Sequence, residues 1–431
     1  MSWIVTWTFV AQALLLILGG LTRPHRIYEY PFLAGAMAVS FILPQLPAMI
    51  DNRFLPAGAY EMTVCFTILC FAMIRLGWSD TAPALRSFRW TLDEGRLLLG
   101  AAALSAAGAV FYFELSRRSG ELAVMTGMTG VPVMQLFFSK LLPYGMGIAL
   151  LCLMRRPSLP ALAIVAFDAL LYLDRIFVTG KRGETVELVL MVALATFFHR
   201  DRTLPRLLVV AGVVAGTLVM ESVAEYRDIT RTKGRPELAD IAEIPVMENF
   251  AKGLEKGGLE MPNALILINA ADRDMQLDFG AWHWNIFVFN YFPAQLLGQD
   301  LKQQLMLDIP RPGPSEYNPV YGTTETGMAD AFRSFWWFGA VKFLLISHLL
   351  CRVWQAARQG WAVPQIIYMF SAAPAMNAIS HHTQWVPSTW LHMALFMLPV
   401  LWFARCPAPR GGAAPNPRPA AGSLGTAARP G

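Results

Sequence analysis

The sequence predicts an all-α, polytopic integral membrane protein with about eleven transmembrane helices. Of its 431 residues, 55% are hydrophobic and only 15% are charged, and the mean hydropathy is +0.42. The apolar residues form continuous runs of about 17 to 23, each long enough for a helix to cross roughly 30 Å of hydrocarbon. Strands of a membrane barrel would alternate apolar and polar residues in short segments, so the pattern favours helices.

The spans divide the chain into one membrane domain, residues 1–404, and a tail, residues 405–431. A large polar loop, residues 222–330, separates the eighth span from the ninth, and we expect short helices within it. The tail is rich in Pro, Gly and Ala, a composition typical of disorder. We place the spans at residues 3–21, 31–50, 60–78, 97–115, 132–154, 159–178, 184–198, 204–221, 331–351, 362–380 and 388–404.

Alternate loops differ in their content of Lys and Arg, which indicates the orientation of the chain. The loops after the odd-numbered spans are, as a set, richer in Lys and Arg than those after the second, fourth and sixth spans, and the richer set includes the carboxy-terminal end. Because basic loops stay in the cytoplasm, the amino terminus is predicted outside and the carboxy terminus inside. In a bacterial inner membrane the large loop is then periplasmic, and it carries about 16 of the 30 acidic residues.

Composition and spacing exclude several kinds of ligand. The net charge of +5 includes three arginines that follow Cys406, a stretch without acidic residues, so it does not indicate a nucleic-acid partner. The five cysteines lie in or beside apolar runs without metal-type spacing, and we expect neither a disulfide framework nor a zinc site. The sequence has no Walker loop, no Rossmann glycine pattern and no zinc-binding His-Glu-x-x-His motif, so we expect no cofactor.

The turn between the sixth and seventh spans concentrates charge on the external side. Asp174 and Arg175 end one helix, Lys181 and Arg182 lie in the turn, and Glu184 begins the next helix. One interpretation is a capped helical hairpin with neutralising ion pairs, since acids suit the first turn of a helix. The other is a phosphate site, because these cations lie outside against the positive-inside bias and arginine binds phosphate well.

Aromatic residues accompany polar ones at two further places on the external side. Tyr226 and Arg227 follow the eighth span and offer an aromatic face beside a cation. Trp282 and His283 belong to an aromatic-rich stretch of the loop, which is typical of an interfacial helix at head-group level but also suits stacking on sugar rings. His283 is either a structural residue or a candidate base.

The entrance to the ninth span and the last external turn add more ionisable groups. Asp330 and Arg333 are one helical turn apart, a spacing that allows a local ion pair. Lys342 lies further into the same span and must either find a partner or extend to the interface. His381 lies in the last external turn, so polar groups from five or six spans converge on one side of the membrane.

With these features the chain resembles the bacterial O-antigen polymerases, or oligosaccharide repeat-unit polymerases, that build surface polysaccharides. The resemblance covers roughly residues 160–400. It rests on three external features: the basic turn Gly180-Lys181-Arg182-Gly183-Glu184, the pair Tyr226-Arg227, and the run from Gly322-Thr323 through Asp330, Phe335 and Phe338-Gly339.

The resemblance implies that undecaprenyl-diphosphate-linked repeat units are joined at the periplasmic face, without nucleotide sugar or metal. It also implies a flippase and a chain-length regulator as partners. In that reaction cations stabilise the departing diphosphate and a base accepts the proton of the acceptor hydroxyl. The cation candidates are Arg182 and Arg227, then Lys181 and Arg333, and the base candidates are Glu184, then Asp330, His381 and His283.

Three other functions fit parts of the pattern. An O-antigen ligase would pass the glycan to lipid A core, and the sequence does not separate the two acceptors. A lipid-linked sugar flippase or other transporter would need no base, and such proteins often carry internal repeats, of which the sequence shows none. A structural assembly subunit would leave ion pairing as the only use of the external cations.

Overall fold

The computed structural model describes residues 1–50, 52–116, 131–180, 182–233, 236–310 and 324–406. Within these ranges 80% of the residues are helical and there is no strand beyond an isolated bridge between Leu92 and Arg405. The predicted tail lies outside the described residues except for its first two positions. The prediction of an all-helical chain is confirmed for the part that the structure describes.

Twenty-one α-helices follow one another in the described ranges. Before the large loop they are α1 (Ser2–Leu21), α2 (Tyr30–Met37), α3 (Pro47–Ile50), α4 (Ala59–Gly77), α5 (Glu94–Ser116), α6 (Val131–Ser139), α7 (Leu141–Arg155), α8 (Leu159–Thr179), α9 (Arg182–Arg200) and α10 (Arg206–Met220). In the loop they are α11 (Val223–Lys233), α12 (Leu238–Ala242), α13 (Val246–Lys256), α14 (Glu260–Asp274), α15 (Ala281–Tyr291), α16 (Ala294–Leu297) and α17 (Gln299–Gln304). The last four are α18 (Thr326–Phe335), α19 (Val341–Arg358), α20 (Ala362–Ser380) and α21 (Trp385–Phe403).

Six helical segments of the described chain are long and apolar enough to cross a membrane. They are α1, α4, α5, α6 with α7, α18 with α19, and α21. A seventh is added if α10 and the start of α11, which are bent by 63°, form one broken span. The chain is therefore membrane-embedded, whereas the count of eleven spans is not confirmed and stays a prediction.

The predicted span 31–50 is not one continuous helix. After α2 the backbone passes through a π-helical turn at Ala38–Ile42 and a 3-10 turn at Leu43–Gln45 before α3 begins. Pro44 and Pro47 explain the break, because proline has no N–H to donate to the preceding turn. This broken segment packs against α10 and α13.

Helix α20 is the centre of the bundle. Sixteen of its nineteen residues are buried, and it contacts α2, α7, α9, α18, α19 and α21. It is absent from the six apolar segments because it contains polar and small residues such as Gln365, Ser371 and Asn377. A helix surrounded by other helices has little contact with lipid, so this composition suits its position.

The helix is interrupted between α18 and α19, at the entrance of the ninth predicted span. Trp336 has φ 53° and ψ −138°, a backbone conformation that bulky residues rarely adopt. A short 3-10 turn, Trp336–Ala340, follows before α19 begins. The indole Nε1 of Trp336 donates to Asp272 Oδ1 of α14 at 2.7 Å, which ties the break to the large loop.

Candidate functional site

Asp330 lies on α18, a short helix pressed against the carboxyl end of α20. Gly327 makes this approach possible, because a Cβ at that position would lie 1.7 Å from the backbone oxygen of Ala378. All residues of α18 from Thr326 to Phe332 are buried, and Asp330 is only 3% exposed. A carboxylate so placed must be compensated by nearby donors or cations.

Both kinds of compensation surround the Asp330 carboxylate. The backbone N–H of Thr383 donates to Oδ2 at 2.7 Å, and the Thr383 hydroxyl donates to the same oxygen at 2.5 Å. Lys342 Nζ lies 3.6 Å and His283 Nε2 lies 3.5 Å from the other oxygen, Oδ1. Oδ1 is buried and accepts no hydrogen bond from the described residues.

Four different segments of the chain supply this cluster. His283 comes from α15, Asp330 from α18, Lys342 from α19, and Thr383 from the turn after α20. We call these four residues the carboxylate cluster. Lys342 also donates to Ser334 Oγ at 2.9 Å, so the ammonium group found a partner inside the protein instead of extending to the interface.

The neighbours of His283 Nε2 bear on which tautomer the ring adopts. The Thr383 hydroxyl has one proton, which it gives to Asp330, so its lone pairs face His283 Nε2 at 3.0 Å. Lys342 Nζ is the more distant neighbour of that nitrogen, at 3.3 Å. The Lys342 ammonium can only donate, so the two contacts favour opposite tautomers; we assign the ring hydrogen to Nε2 and the lone pair to Nδ1 from the shorter one.

With this assignment, Nδ1 of His283 is the basic atom of the cluster. His283 Nδ1 is buried and has no hydrogen-bond partner in the described part of the chain. Burial lowers the pKa of His283 below its ordinary value, although the charge of Asp330 opposes that effect. The ring is therefore neutral at pH 7 and its Nδ1 can accept a proton.

Around the carboxyl end of α20, two more predicted residues lie close to the cluster. The rings of Trp282 and His382 are 5.8 Å apart, and the charge of His382 acts on Asp330. His381 shares a hydrogen bond of 2.8 Å between its Nδ1 and Ser380 Oγ, and its ring lies 4.9 Å from that of Trp385. His381 is thus close to the cluster in the chain, two residues before Thr383.

Arg333 does not pair with Asp330, although the two are one turn apart. Its guanidinium contacts the Glu325 carboxylate instead, while Asp330 faces Lys342. The local ion pair that the spacing allows is therefore not the arrangement observed. The reason is that Asp330 points towards α19 and the turn after α20, where three partners already hold it.

A second polar group lies where α8 and α9 meet α6. Arg175 Nη2 pairs with Glu184 Oε1 at 2.7 Å, and Arg175 Nη1 donates to Ser139 Oγ at 3.2 Å. This contact belongs to the ion-paired hairpin that we considered for this turn. Because its carboxylate is held by Arg175, Glu184 is a poorer candidate base than His283.

Lys140, in the turn between α6 and α7, joins this second group. Its side chain is exposed, and it makes no hydrogen bond or ion pair with the described residues. It interacts electrostatically with Glu187, Arg175 and Glu184. Nearby, Tyr172 donates to Glu187 Oε2 at 2.9 Å. Of the two described cations Arg175 and Lys140, only Arg175 has a direct ion pair and hydrogen bond in this group.

The basic turn and the Tyr226-Arg227 pair are neighbours. A Cβ added at Gly180 would lie 2.8 Å from the Tyr226 ring and 3.3 Å from Arg227 Cγ, and Tyr226 donates to the backbone oxygen of Phe177 at 2.6 Å. Lys181 lies outside the described residues, and of Arg182 only the backbone, at the start of α9, is described. Gly322 and Thr323 also lie outside the described residues.

A contact at Gly183 links the basic turn to the central helix. A Cβ at Gly183 would lie 3.3 Å from the amide nitrogen of Asn377, near the carboxyl end of α20. The same end of α20 carries the turn with Thr383. The predicted candidates whose side chains the structure describes thus gather at one end of the bundle, around α20, in two adjacent groups.

Sequence reasoning missed the roles of Thr383, Lys342 and Lys140. Lys342 had a signal, a charge in an apolar helix, but its partner was not identified. Thr383 had none, because a threonine in a turn is common and its contact with Asp330 spans 53 residues. In the described ranges, no three His, Cys, Asp or Glu residues are grouped as a metal site would require.

Fold and site together define an all-helical membrane protein with a buried, charged cluster at one end of its bundle. No protein-family model, curated protein or solved structure matches the chain.

Proposed function

We propose that the protein is a membrane glycosyltransferase that polymerises undecaprenyl-diphosphate-linked oligosaccharide repeat units at the periplasmic face of a bacterial inner membrane. The observation that carries the proposal is the His283 Nδ1 atom, a neutral base whose ring is oriented by Thr383 and Asp330. A transporter needs no such base. The gathering of cations and carboxylates at one end of the bundle also favours chemistry at the membrane surface.

In the proposed reaction, the acceptor hydroxyl oxygen attacks the anomeric carbon of the growing chain. The bond from that carbon to the diphosphate oxygen breaks, and its electron pair leaves with the diphosphate. The proton of the hydroxyl passes to His283 Nδ1, an atom that is buried in the free protein and has to be uncovered when the acceptor binds. Asp330 stabilises the resulting imidazolium through the Thr383 hydroxyl and directly through Oδ1, which lies 3.5 Å from His283 Nε2.

The diphosphate leaving group calls for cations close to this base. Arg182 and Arg227 are our first candidates, with Lys181 further along the same turn. Lys140 is an added candidate, because it is exposed, lacks direct partners among the described residues and lies near Arg175. Arg333 is a weaker one, since Glu325 already pairs with it. Trp282 and Tyr226 are candidates for stacking on the sugars.

The test is a reaction of the purified protein, reconstituted in liposomes, with polyprenyl-diphosphate-linked repeat units from its own host. The wild type should produce a ladder of whole repeat units without nucleotide or added divalent metal. Glycan on added lipid A core, with no ladder, would instead assign the ligase. No reaction on either acceptor would favour a transporter.

Substitution at His283 then tests the mechanism. We expect His283→Gln to lower the polymerisation rate by about 10²- to 10⁴-fold, the usual contribution of a positioned base. His348→Gln is the matched control, because His348 is an exposed histidine of α19 far along the helix from the cluster. Wild-type ladders from His283→Gln at equal protein level would contradict the assignment of the base.

A further inference from the structure

A cleft follows α1 along most of its length, away from the site just described. Two adjoining cavities form it, one of about 350 Å³ at the carboxyl end of α1 and one of about 770 Å³ along its amino-terminal half. Leu15 lines both cavities. From Ile4 to Gly20 the helix rises about 24 Å, which exceeds the roughly 15 Å depth of one hydrocarbon leaflet.

The two ends of the cleft differ in chemistry. The larger cavity is lined almost wholly by apolar side chains, among them Trp3, Trp7 and Ile68. The smaller cavity has charged groups of both signs at its rim: the guanidinium groups of Arg26 and Arg75, and the carboxylates of Glu29 and Asp80. The cleft is thus amphiphilic, with a polar end and an apolar channel.

The charged groups of the smaller cavity are held in place by one another. Arg26 Nη2 lies 2.5 Å from Asp80 Oδ2, and Trp78 Nε1 donates to Glu29 Oε2 at 3.0 Å. Arg75 uses Nη1 to donate to the backbone oxygen of Trp78 at 3.0 Å. The other N–H groups of the exposed Arg75 side chain are available for a ligand.

This cleft lies at the opposite end of the bundle from the carboxylate cluster. Arg358, near the end of α19, acts electrostatically on Glu29, whereas Lys342, near the start of α19, belongs to the cluster. Sixteen residues of helix separate the two, about 24 Å. A ligand with its polar part in the smaller cavity therefore belongs to the other leaflet.

We infer that the cleft binds one zwitterionic phospholipid with a primary ammonium head group, of the phosphatidylethanolamine class. Its phosphate meets Arg75, its ammonium meets Asp80, and one acyl chain follows α1 past Leu15 into the larger cavity. Paired charges in the cavity favour a head group that carries both signs. A head group with only negative charge would place its phosphate beside the Asp80 carboxylate without an ammonium to offset it.

The test fills the cleft without disturbing the fold. A Cβ at Gly19 meets no atom within 4 Å, so Gly19→Leu adds a side chain to the smaller cavity without a clash. Gly212→Leu is the matched control, because Gly212 is also helical, meets nothing within 4 Å and lies on α10. Both changes replace glycine by leucine in a helix.

The full-length protein is equilibrated with an equimolar mixture of phosphatidylethanolamine and phosphatidylglycerol of identical acyl chains, and bound lipids are counted by native mass spectrometry. Wild type and Gly212→Leu should each retain phosphatidylethanolamine in preference, and Gly19→Leu should retain one molecule fewer. Equal retention in all three proteins would overturn the inference. So would depletion of phosphatidylglycerol, instead of phosphatidylethanolamine, in Gly19→Leu.

A second pair of variants keeps the inference testable if Gly19→Leu does not fold. Arg75→Gln should weaken retention of phosphatidylethanolamine about tenfold, the usual effect of losing a hydrogen bond to a charged group. Arg86→Gln should leave it unchanged, because Arg86 is an exposed arginine outside the cavity lining. Equal effects of the two substitutions would contradict the inference.

Discussion

The ion pair between Lys342 and Asp330 gives the sharpest test of the buried cluster. The perturbation is a double-mutant cycle of Lys342→Met and Asp330→Asn, which remove the charges while keeping similar shapes. Asp330 has a side chain 2% exposed and Lys342 one 18% exposed, and their charged atoms lie 3.6 Å apart. At an effective dielectric constant of about 20, this distance corresponds to an attraction of about 4 to 5 kcal/mol.

Each single substitution leaves one buried charge without its main partner. We expect Lys342→Met to lower the free energy of unfolding by about 3 to 5 kcal/mol, because Asp330 then stays buried with less compensation. Asp330→Asn should cost somewhat less, since the ammonium of Lys342 is partly exposed. The double mutant should be about as stable as either single mutant, which gives a coupling free energy of about 2 to 5 kcal/mol.

The assay is unfolding of the detergent-solubilised protein by SDS, followed by the fluorescence of its 13 tryptophans. A second cycle on Lys252 and Glu248 serves as a control, because these side chains form an ion pair of 2.6 Å on the surface, with 53% and 61% of their area exposed. We expect no measurable coupling there. If the effects of Lys342→Met and Asp330→Asn add within about 0.5 kcal/mol, the two charges do not stabilise one another in the folded protein.

Two further predictions concern stability. Gly327→Ala should destabilise the protein by about 2 to 3 kcal/mol or more, since the new methyl group overlaps the backbone of Ala378, whereas Gly212→Ala, in open space on α10, should be neutral or slightly stabilising in the same unfolding assay. Burial, helped by the charge of Asp80, raises the pKa of Glu29 to about 7, so the protonated form suits the folded state better. The resulting stabilisation is full below about pH 4.5 and is lost as the pH rises through 7. Thermal unfolding should therefore show a smaller decrease in stability between pH 6 and pH 8 for Glu29→Gln than for the wild type. An equal decrease in the two proteins would contradict this origin.

Much of the helical fold follows from the apolar runs, and the exceptions have local causes. The predicted span 362–380 is helix α20, whose bounds are Ala362 and Ser380. By contrast, the run 31–50 is apolar enough for a span, but Pro44 and Pro47 interrupt its hydrogen bonds. Hydropathy measures the cost of contact with lipid, so it identifies neither such breaks nor which helix lies in the centre.

The site was predictable only as a set of residue types on one side of the membrane. His283 and Asp330 were candidates because ionisable groups near a membrane surface are few. Their connection through Thr383 was not predictable, since it depends on how α15, α18 and α20 pack together. The preference for Glu184 as base had the same weakness, because its partner Arg175 belongs to the preceding helix and becomes visible only in three dimensions.

The order of the cluster along the chain has a consequence for biogenesis. Asp330 and Lys342 are separated by only twelve residues, so the ribosome delivers both to the membrane together. Because the charges of Asp330 and Lys342 neutralise one another, the pair lowers the cost of moving α18 and α19 into the bilayer. Thr383 is synthesised 41 residues after Lys342, so the Asp330–Lys342 ion pair is the contact available when α18 and α19 insert. The orientation of His283 by Thr383 is completed only once α20 has entered the membrane.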